Sequence, residues 1–239
     1  MPPTPMHILL VHGAWADGSS WAKVIAPLAA EGFKVTAAAL PLTSFHDDLA
    51  ALERSLERVS GPVVLAGHAY AGAVIAATRS EKVRALVYVA ALAPEEGETV
   101  ADIFYRTPPH LQAPKLAPDG NGLIYLPEPA FAAAFAQNAT AQDLAVLAAV
   151  QRPISPACIT VKMERPLWKD RPAWYLLAEQ DRMILAENQR FMAGRMKARM
   201  RAHPVDHAPL VSAPALVVDI IRAAAREAAL DAARGALGG

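Results

Sequence analysis

The stretch VVLAGHAYAGAVIAAT, Val63 to Thr78, runs from an apolar strand through a turn of small residues into a short helix. Val63 to Ala66 is a brief, unbroken apolar run of the kind that a strand covered on both faces requires, and Gly61-Pro62 ends whatever precedes it. Ala73 to Thr78 continues at helical period. The link between them, Gly67-His68-Ala69-Tyr70-Ala71-Gly72, keeps small residues at 67 and 71, which lets the backbone reverse sharply from strand to helix. Working outward, the same alternation repeats on both sides. His7 to His12 (HILLVH) reads as a strand, and Trp21, Val24, Ile25, Leu28 and Ala29 repeat at helical spacing until Gly32. Lys34 to Leu40 is a second strand, Leu49, Leu52, Leu56 and Val59 mark a second helix, and Ala85 to Ala90 (ALVYVA) is strand again. Short strands joined by helices imply a mostly parallel twisted sheet with helices on both faces, an α/β fold.

The alternation stops after Ala93 and resumes at Ala173. Pro94 to Pro172 holds 11 of the 20 prolines, and proline at that density forbids central strands and long helices. The stretch reads as a cap inserted over the sheet, with core segments 1–93 and 173–239 around an insertion at 94–172, in one continuous domain. Within it, Leu123 to Leu126 after Asp119-Gly-Asn-Gly122 reads as a hairpin arm, and Pro129 to Gln151 carries two alanine-rich helical segments. Trp174 to Ala178 then resumes the sheet, Glu187 to Met196 is helical, Arg199 to Val205 is a last strand and Pro214 to Arg234 a C-terminal helix.

Composition removes several classes of function. Lys plus Arg is 23 and Asp plus Glu is 23, so no net charge and no basic run provides a nucleic-acid footprint. A hydrophobic share of 54% excludes a disordered chain, and no long uncharged stretch suggests a membrane span. The first residues show no secretory signal, so a cytoplasmic address is expected. The single cysteine, Cys158, excludes an internal disulfide framework. The expected partner is a small molecule, with neither nucleic acid nor membrane, and a homodimer is left open.

A strand-to-helix turn of this type is where the nucleophile elbow G-x-S-x-G belongs, with a strained central residue that presents a nucleophile. Position 69 is alanine, so no covalent intermediate forms there. The rest of a hydrolytic site is nevertheless present in order. Glu179-Gln180-Asp181 follows the strand ending at Ala178, and Asp206-His207 follows the last strand, as an acid and a histidine should. Asp181 is preferred over Glu179 because the loop has lengthened past the strand end. His207 is preferred over His203, which still lies within the strand's period. After the first strand, His12-Gly13-Ala14-Trp15 forms a turn whose Ala14 N–H, with the N–H of Tyr70, could bind a developing oxyanion.

These residues together resemble a family. Val11 to Trp21, Gly67 to Ile75, Ala85 to Ala91, Gln180-Asp181-Arg182 and Asp206-His207-Ala208 are similar to the small bacterial α/β-hydrolases, in the esterase-like branch that includes plant methyl-ester esterases and hydroxynitrile lyases. The resemblance runs from about His7 to the C-terminal helix. It implies an α/β-hydrolase fold with a short cap, Ala69 at the nucleophile position, Asp181 as acid, His207 as base, and Ala14 and Tyr70 as oxyanion donors. The branch usually reads Gly-His-Ser-Tyr-Gly-Gly at the elbow, and this chain departs from it at Ala69. Three readings of that departure stay open: a serine replaced by alanine, divergence to non-covalent acid–base chemistry through His207, or an inactive relative that binds a small molecule.

The expected substrate is a small, mostly apolar ester or lactone-like compound. Phe104, Tyr105, Leu126, Phe131, Phe135, Leu147, Met163 and Trp168 are available as walls from the insertion, and Trp15, His68, Tyr105 and Trp168 are the candidate substrate contacts. His203, Asp206 and His207 cluster in sequence, but Pro204 in a strand is unlike a helical zinc site, so no metal is expected. No phosphate-binding glycine signature is present, and no cofactor is expected.

Overall fold

The structure is a computed structural model that describes residues 6–237. Six parallel strands, β1 (His7–Val11), β2 (Lys34–Ala38), β3 (Val63–His68), β4 (Val83–Val89), β5 (Ala173–Ala178) and β6 (Arg199–His203), form one sheet in the order β2-β1-β3-β4-β5-β6. Every residue of β1, β3 and β5 is buried, which explains why these strands read as continuous apolar runs rather than alternating ones. The two edges differ. β2 alternates between exposed and half-buried residues, and β6 is exposed along most of its length, with Arg199 lying over the Trp174 ring at 4.7 Å. Charged residues on an exposed edge discourage pairing with a further chain.

Helices cover both faces. α1 (Ala22–Ala30) packs with the long α8 (Pro214–Leu237), which crosses β3, β4 and β5, while α2 (Phe45–Glu57) packs with α3 (Ala71–Ala77). α2 starts at Ser44, whose hydroxyl accepts the Asp47 N–H, and two aspartates occupy its first turn. α7 (Ala186–Arg195) lies against β5.

The strand order places the site. From β1 the chain steps out to β2 on one side and returns to β3 on the other, so the carboxyl ends of β1 and β3 are neighbours across a change of direction. Val11 is in register with Gly67. Open α/β sheets bind ligands in that crevice, because the loops leaving the two strands diverge there.

No sheet strand lies between 94 and 172. This insertion carries α4 (Val100–Phe104), α5 (Glu128–Ala130) running into a π-helical turn at Phe131–Phe135, and α6 (Ala141–Val150). Thr99 and Thr140 each cap a helix through a reciprocal pair of hydrogen bonds with Asp102 and Asp143. The hairpin expected at Leu123 to Leu126 does not form. The Asp119 turn is present, its carboxylate accepting the Asn121 and Leu123 N–H groups, but Ile124 pairs antiparallel with Ile154, thirty residues on, in an isolated bridge. The last strand also stops at His203, two residues short of the expected end at Val205.

Candidate active site

The elbow is built by close approach. Ala69 holds a left-handed backbone with φ +50°, a conformation that disfavours any residue with a Cβ. Three hydrogen bonds hold it there: its N–H donates to the Val89 carbonyl at 3.2 Å, and its own carbonyl accepts from Gly72 (3.1 Å) and Leu92 (2.9 Å). Size at the neighbouring positions is equally constrained. A Cβ at Gly67 would lie 2.9 Å from the Ala71 carbonyl oxygen, and one at Gly72 would collide with the Leu92 carbonyl and sit 2.8 Å from the Ala91 Cβ. Gly13, in the loop after β1, is needed for the same reason: a Cβ there would be 2.9 Å from the Ala69 methyl.

That approach puts Ala14 and Tyr70 on the wall of one cavity. Ala14, Trp15, Ala69, Tyr70 and His207 all line one cavity of about 610 Å³, counting its open mouth. Among the described residues, neither the Ala14 N–H nor the Tyr70 N–H is spent on a backbone carbonyl. Trp15, itself at φ +57°, is fastened to the insertion at both ends, its N–H donating to the Arg152 carbonyl (3.1 Å) and its indole N–H to the Ile124 carbonyl (2.9 Å).

His207 and Asp181 meet 2.8 Å apart, Nδ1 to Oδ2, both buried. Asp181 collects four donors: the Met183 and Ile184 N–H groups on Oδ1, and the Gln189 amide with the imidazole on Oδ2. A carboxylate so surrounded is held in orientation, and because a carboxylate can only accept, the His207 proton sits on Nδ1 and the Nε2 lone pair is left free. Gln189 cannot turn away, since its other contacts bind the Ala178 N–H and the Ile184 carbonyl. Phe135, from the π-helical turn, stands edge-on to the imidazole at 5.0 Å. The loop before His207 is tied by Asp206, whose carboxylate accepts from Asn138 of the insertion, from Ala208 and from the Ser212 hydroxyl.

The competing residues lie elsewhere. Glu179 is on the surface, paired with Arg190 at 2.8 Å, and His203 ends the edge strand β6. Among the described residues no group of three metal-ligating side chains occurs, and no helix is long and apolar enough to cross a membrane.

Of the four expected substrate contacts, Trp15 and Tyr105 line the cavity and two do not. His68 points away into the protein: its Nε2–H donates to the His207 carbonyl at 2.7 Å, and burial, with His207 nearby, lowers its pKa to about 3, so it is a neutral prop beneath the loop. Trp168 lies in a short helical turn, Leu167–Lys169, packed near α3 and is no part of the cavity wall. Among the other wall candidates, Phe104 lines the cavity, whereas Leu126, Phe131, Phe135, Leu147 and Met163 are buried outside it. Another buried carboxylate escaped sequence reasoning. Asp48 on α2 accepts the Tyr70 hydroxyl and the Leu42 N–H, each at 2.7 Å. Burial raises its pKa and pushes that of the neighbouring Cys158 up to about 12.

Known proteins share this architecture. Residues 8–220 match the profile of the alpha/beta hydrolase family. The rice (Oryza sativa subsp. japonica) protein Esterase PIR7B is 26% identical over 256 aligned positions, 90% of this chain and 94% of its own. Two solved structures superpose over nearly their full length. Polyneuridine aldehyde esterase gives a TM-score of 0.79 at 20% identity, with 91% of this chain and 98% of that one covered. A histidine-to-alanine variant of tomato methylketone synthase I, complexed with β-ketoheptanoate, gives 0.80 at 17% identity, with 94% and 99% covered. The strand order, the glycine-lined elbow and a profile match across most of the sequence lead to one conclusion: this chain belongs to the alpha/beta hydrolase family.

Proposed function

We propose that this protein acts on the carbonyl of a small, mostly apolar compound, an ester, lactone or β-keto compound, by acid–base chemistry without a covalent intermediate. The observation that carries this reading is the buried His207–Asp181 pair beside a cavity that Ala69, Ala14 and Tyr70 also line. The substrate carbonyl oxygen would rest against the Ala14 and Tyr70 N–H groups, which are worth most where water is excluded and negative charge develops. His207 Nε2 is then the proton carrier on the cavity wall.

Two reactions need only these parts. His207 can take a proton from a water that attacks an ester or lactone carbonyl. Alternatively, in a β-keto acid the bond between the α-carbon and the carboxyl carbon breaks, carbon dioxide leaves, the electron pair passes to the ketone oxygen as an enolate, and His207, having taken a proton on Nε2 from the substrate acid or from solvent, returns it to the α-carbon. A β-keto acid suits the second route, and the tomato neighbour that shares the fold holds β-ketoheptanoate. Among the described residues no lysine or arginine lines the inner cavity, so a bound carboxylate would be poorly solvated there, which favours its loss as carbon dioxide.

The test compares three forms of the protein on short aryl esters and on a 3-oxo acid. Turnover by the unaltered chain that His207→Ala abolishes supports the proposal. On this reading Ala69→Ser is expected to raise ester hydrolysis by at least about 10²-fold, since it supplies a nucleophile beside the His207–Asp181 pair. Tight binding with no turnover, unchanged by His207→Ala, would instead make the protein a small-molecule binder.

A further inference from the structure

Tyr70 belongs to the cavity wall at one end and to a buried polar cluster at the other. Its hydroxyl donates to Asp48 Oδ2 at 2.7 Å, and both residues are buried. With the hydroxyl fixed, the χ1 and χ2 angles of Tyr70 are fixed too, so the ring acts as a strut between α2 and the main chain of the elbow. Asp48 is itself braced. Its Oδ1 accepts the Leu42 N–H at 2.7 Å, and Leu42 holds a left-handed backbone at φ +61°, a costly conformation for such a side chain that persists only where its surroundings hold it. The Leu42 carbonyl accepts the Ser155 N–H of the insertion at 3.0 Å, and the Cys158 thiol lies against both Asp48 and Tyr70. Ile154 and Ile159, on either side of that turn, line the cavity. Asp48 therefore ties together α2, the elbow and the insertion wall while lying off the cavity itself. Burying a carboxylate costs stability, and an apolar side chain packs a helix onto a core without that cost.

We propose that Asp48 is a positioning residue for the reaction: through the Tyr70 hydroxyl it sets where the Tyr70 N–H stands toward the substrate carbonyl. This rests on the reading of the cavity as the carbonyl site. Negative charge gathers on the carbonyl oxygen only as the transition state is approached, so a misplaced donor lowers kcat and leaves KM nearly unchanged. What Asp48 supplies is hydrogen bonding rather than charge. Asparagine at this position keeps its oxygen on the Leu42 N–H and turns its NH₂ to the Tyr70 hydroxyl, which accepts as readily as it donates.

The test uses Tyr70→Phe, Asp48→Asn and the double variant in the full chain, with kcat and KM on the aryl ester or 3-oxo acid and urea midpoints for each. Tyr70→Phe cuts the strut and should lower kcat by about 10- to 100-fold, less than the loss of a whole oxyanion donor, with KM within about two-fold. Asp48→Asn keeps the strut and should stay within about three-fold of the unaltered chain. The double variant separates alignment from stability. It buries no charge that has lost a donor, so its midpoint should return toward that of the unaltered chain, while kcat stays as low as in Tyr70→Phe. A kcat that recovers together with the midpoint overturns the proposal, because the hydroxyl then serves stability alone. So does a Tyr70→Phe loss that falls on KM, or an Asp48→Asn chain as slow as Tyr70→Phe. If Tyr70→Phe is too unstable to assay, the double variant compared with Asp48→Asn reads the same hydroxyl. Absence of His207-dependent turnover in the unaltered chain would instead overturn the carbonyl-site reading, and this inference with it.

Discussion

Replacing Asp181 by asparagine changes one atom and should disable the histidine without removing it. Four donors converge on the carboxylate, and asparagine offers one acceptor atom and one donor group. With its oxygen toward Met183 and Ile184, the new NH₂ faces Gln189 and His207. With its oxygen toward Gln189 and His207, the NH₂ faces two backbone N–H groups. The first arrangement costs less, because His207 can respond by moving its proton from Nδ1 to Nε2, whereas a backbone N–H cannot respond. Gln189 stays a donor facing a donor, held by Ala178 and Ile184. Hydrogen bonds to a charged group contribute about 1.5–3 kcal/mol each, two of them are lost, and the neutral bond regained at His207 contributes about 1 kcal/mol, so the net loss of stability is about 2–5 kcal/mol. The tautomer change matters more for chemistry. In the variant the lone pair of His207 then faces the introduced amide and a proton faces the cavity, so His207-dependent turnover should fall by about 10⁴-fold, the size such a tautomer error has in serine proteases. Urea unfolding measures the first quantity and ¹⁵N chemical shifts of the His207 ring nitrogens report the second. A variant as stable as the parent to within about 0.5 kcal/mol, with Nδ1 still protonated, would refute the reasoning that Asp181 orients the ring.

Other outcomes follow from the same geometry. Gly72→Ala places a methyl against the Leu92 carbonyl and the Ala91 side chain, and overpacking of a rigid turn should cost at least about 1–3 kcal/mol, read as a lower urea midpoint. His68 is buried with its pKa lowered to about 3, so the unfolded chain binds the extra proton between that value and its ordinary 6.5. Stability should therefore fall on acidification through that window, by up to about 1.4 kcal/mol per pH unit from this group, and His68→Gln should flatten the slope. Asp48 works in the opposite direction: burial raises its pKa, so its contribution is lost as pH climbs from the ordinary value of 3.8 through the raised one. The stability difference between Asp48→Asn and the parent should move in favour of the variant as pH rises across that range, and a difference independent of pH would remove Asp48 as its source.

Much of the candidate site's layout was legible because its parts are local in the chain. The elbow announces itself through small residues at 67, 71 and 72, since the turn is too tight for a Cβ at Gly67 or Gly72. Asp181 and His207 were legible from position, as the residues that follow the carboxyl ends of consecutive strands. The insertion was legible only in outline. Asp119-Gly-Asn-Gly122 does form a turn, but turn chemistry says nothing of the partner, and Ile124 found Ile154 rather than a neighbouring strand. Trp168 was expected in the cavity on its aromatic character alone, and the chain's path through the prolines carries it elsewhere.

The amino-acid order alone determines the alternation of strands and helices, the place where it is interrupted, and the absence of a nucleophile at position 69. These are properties of neighbouring residues, written in period, size and side-chain chemistry. Only the tertiary structure decides that Gln189 and two backbone amides share the carboxylate with His207, that Asp48 holds the Tyr70 hydroxyl, and that Trp15 is fastened to the insertion through the Arg152 and Ile124 carbonyls. Each of these joins segments brought together by folding, and a contact between such segments leaves no periodic trace in either of them.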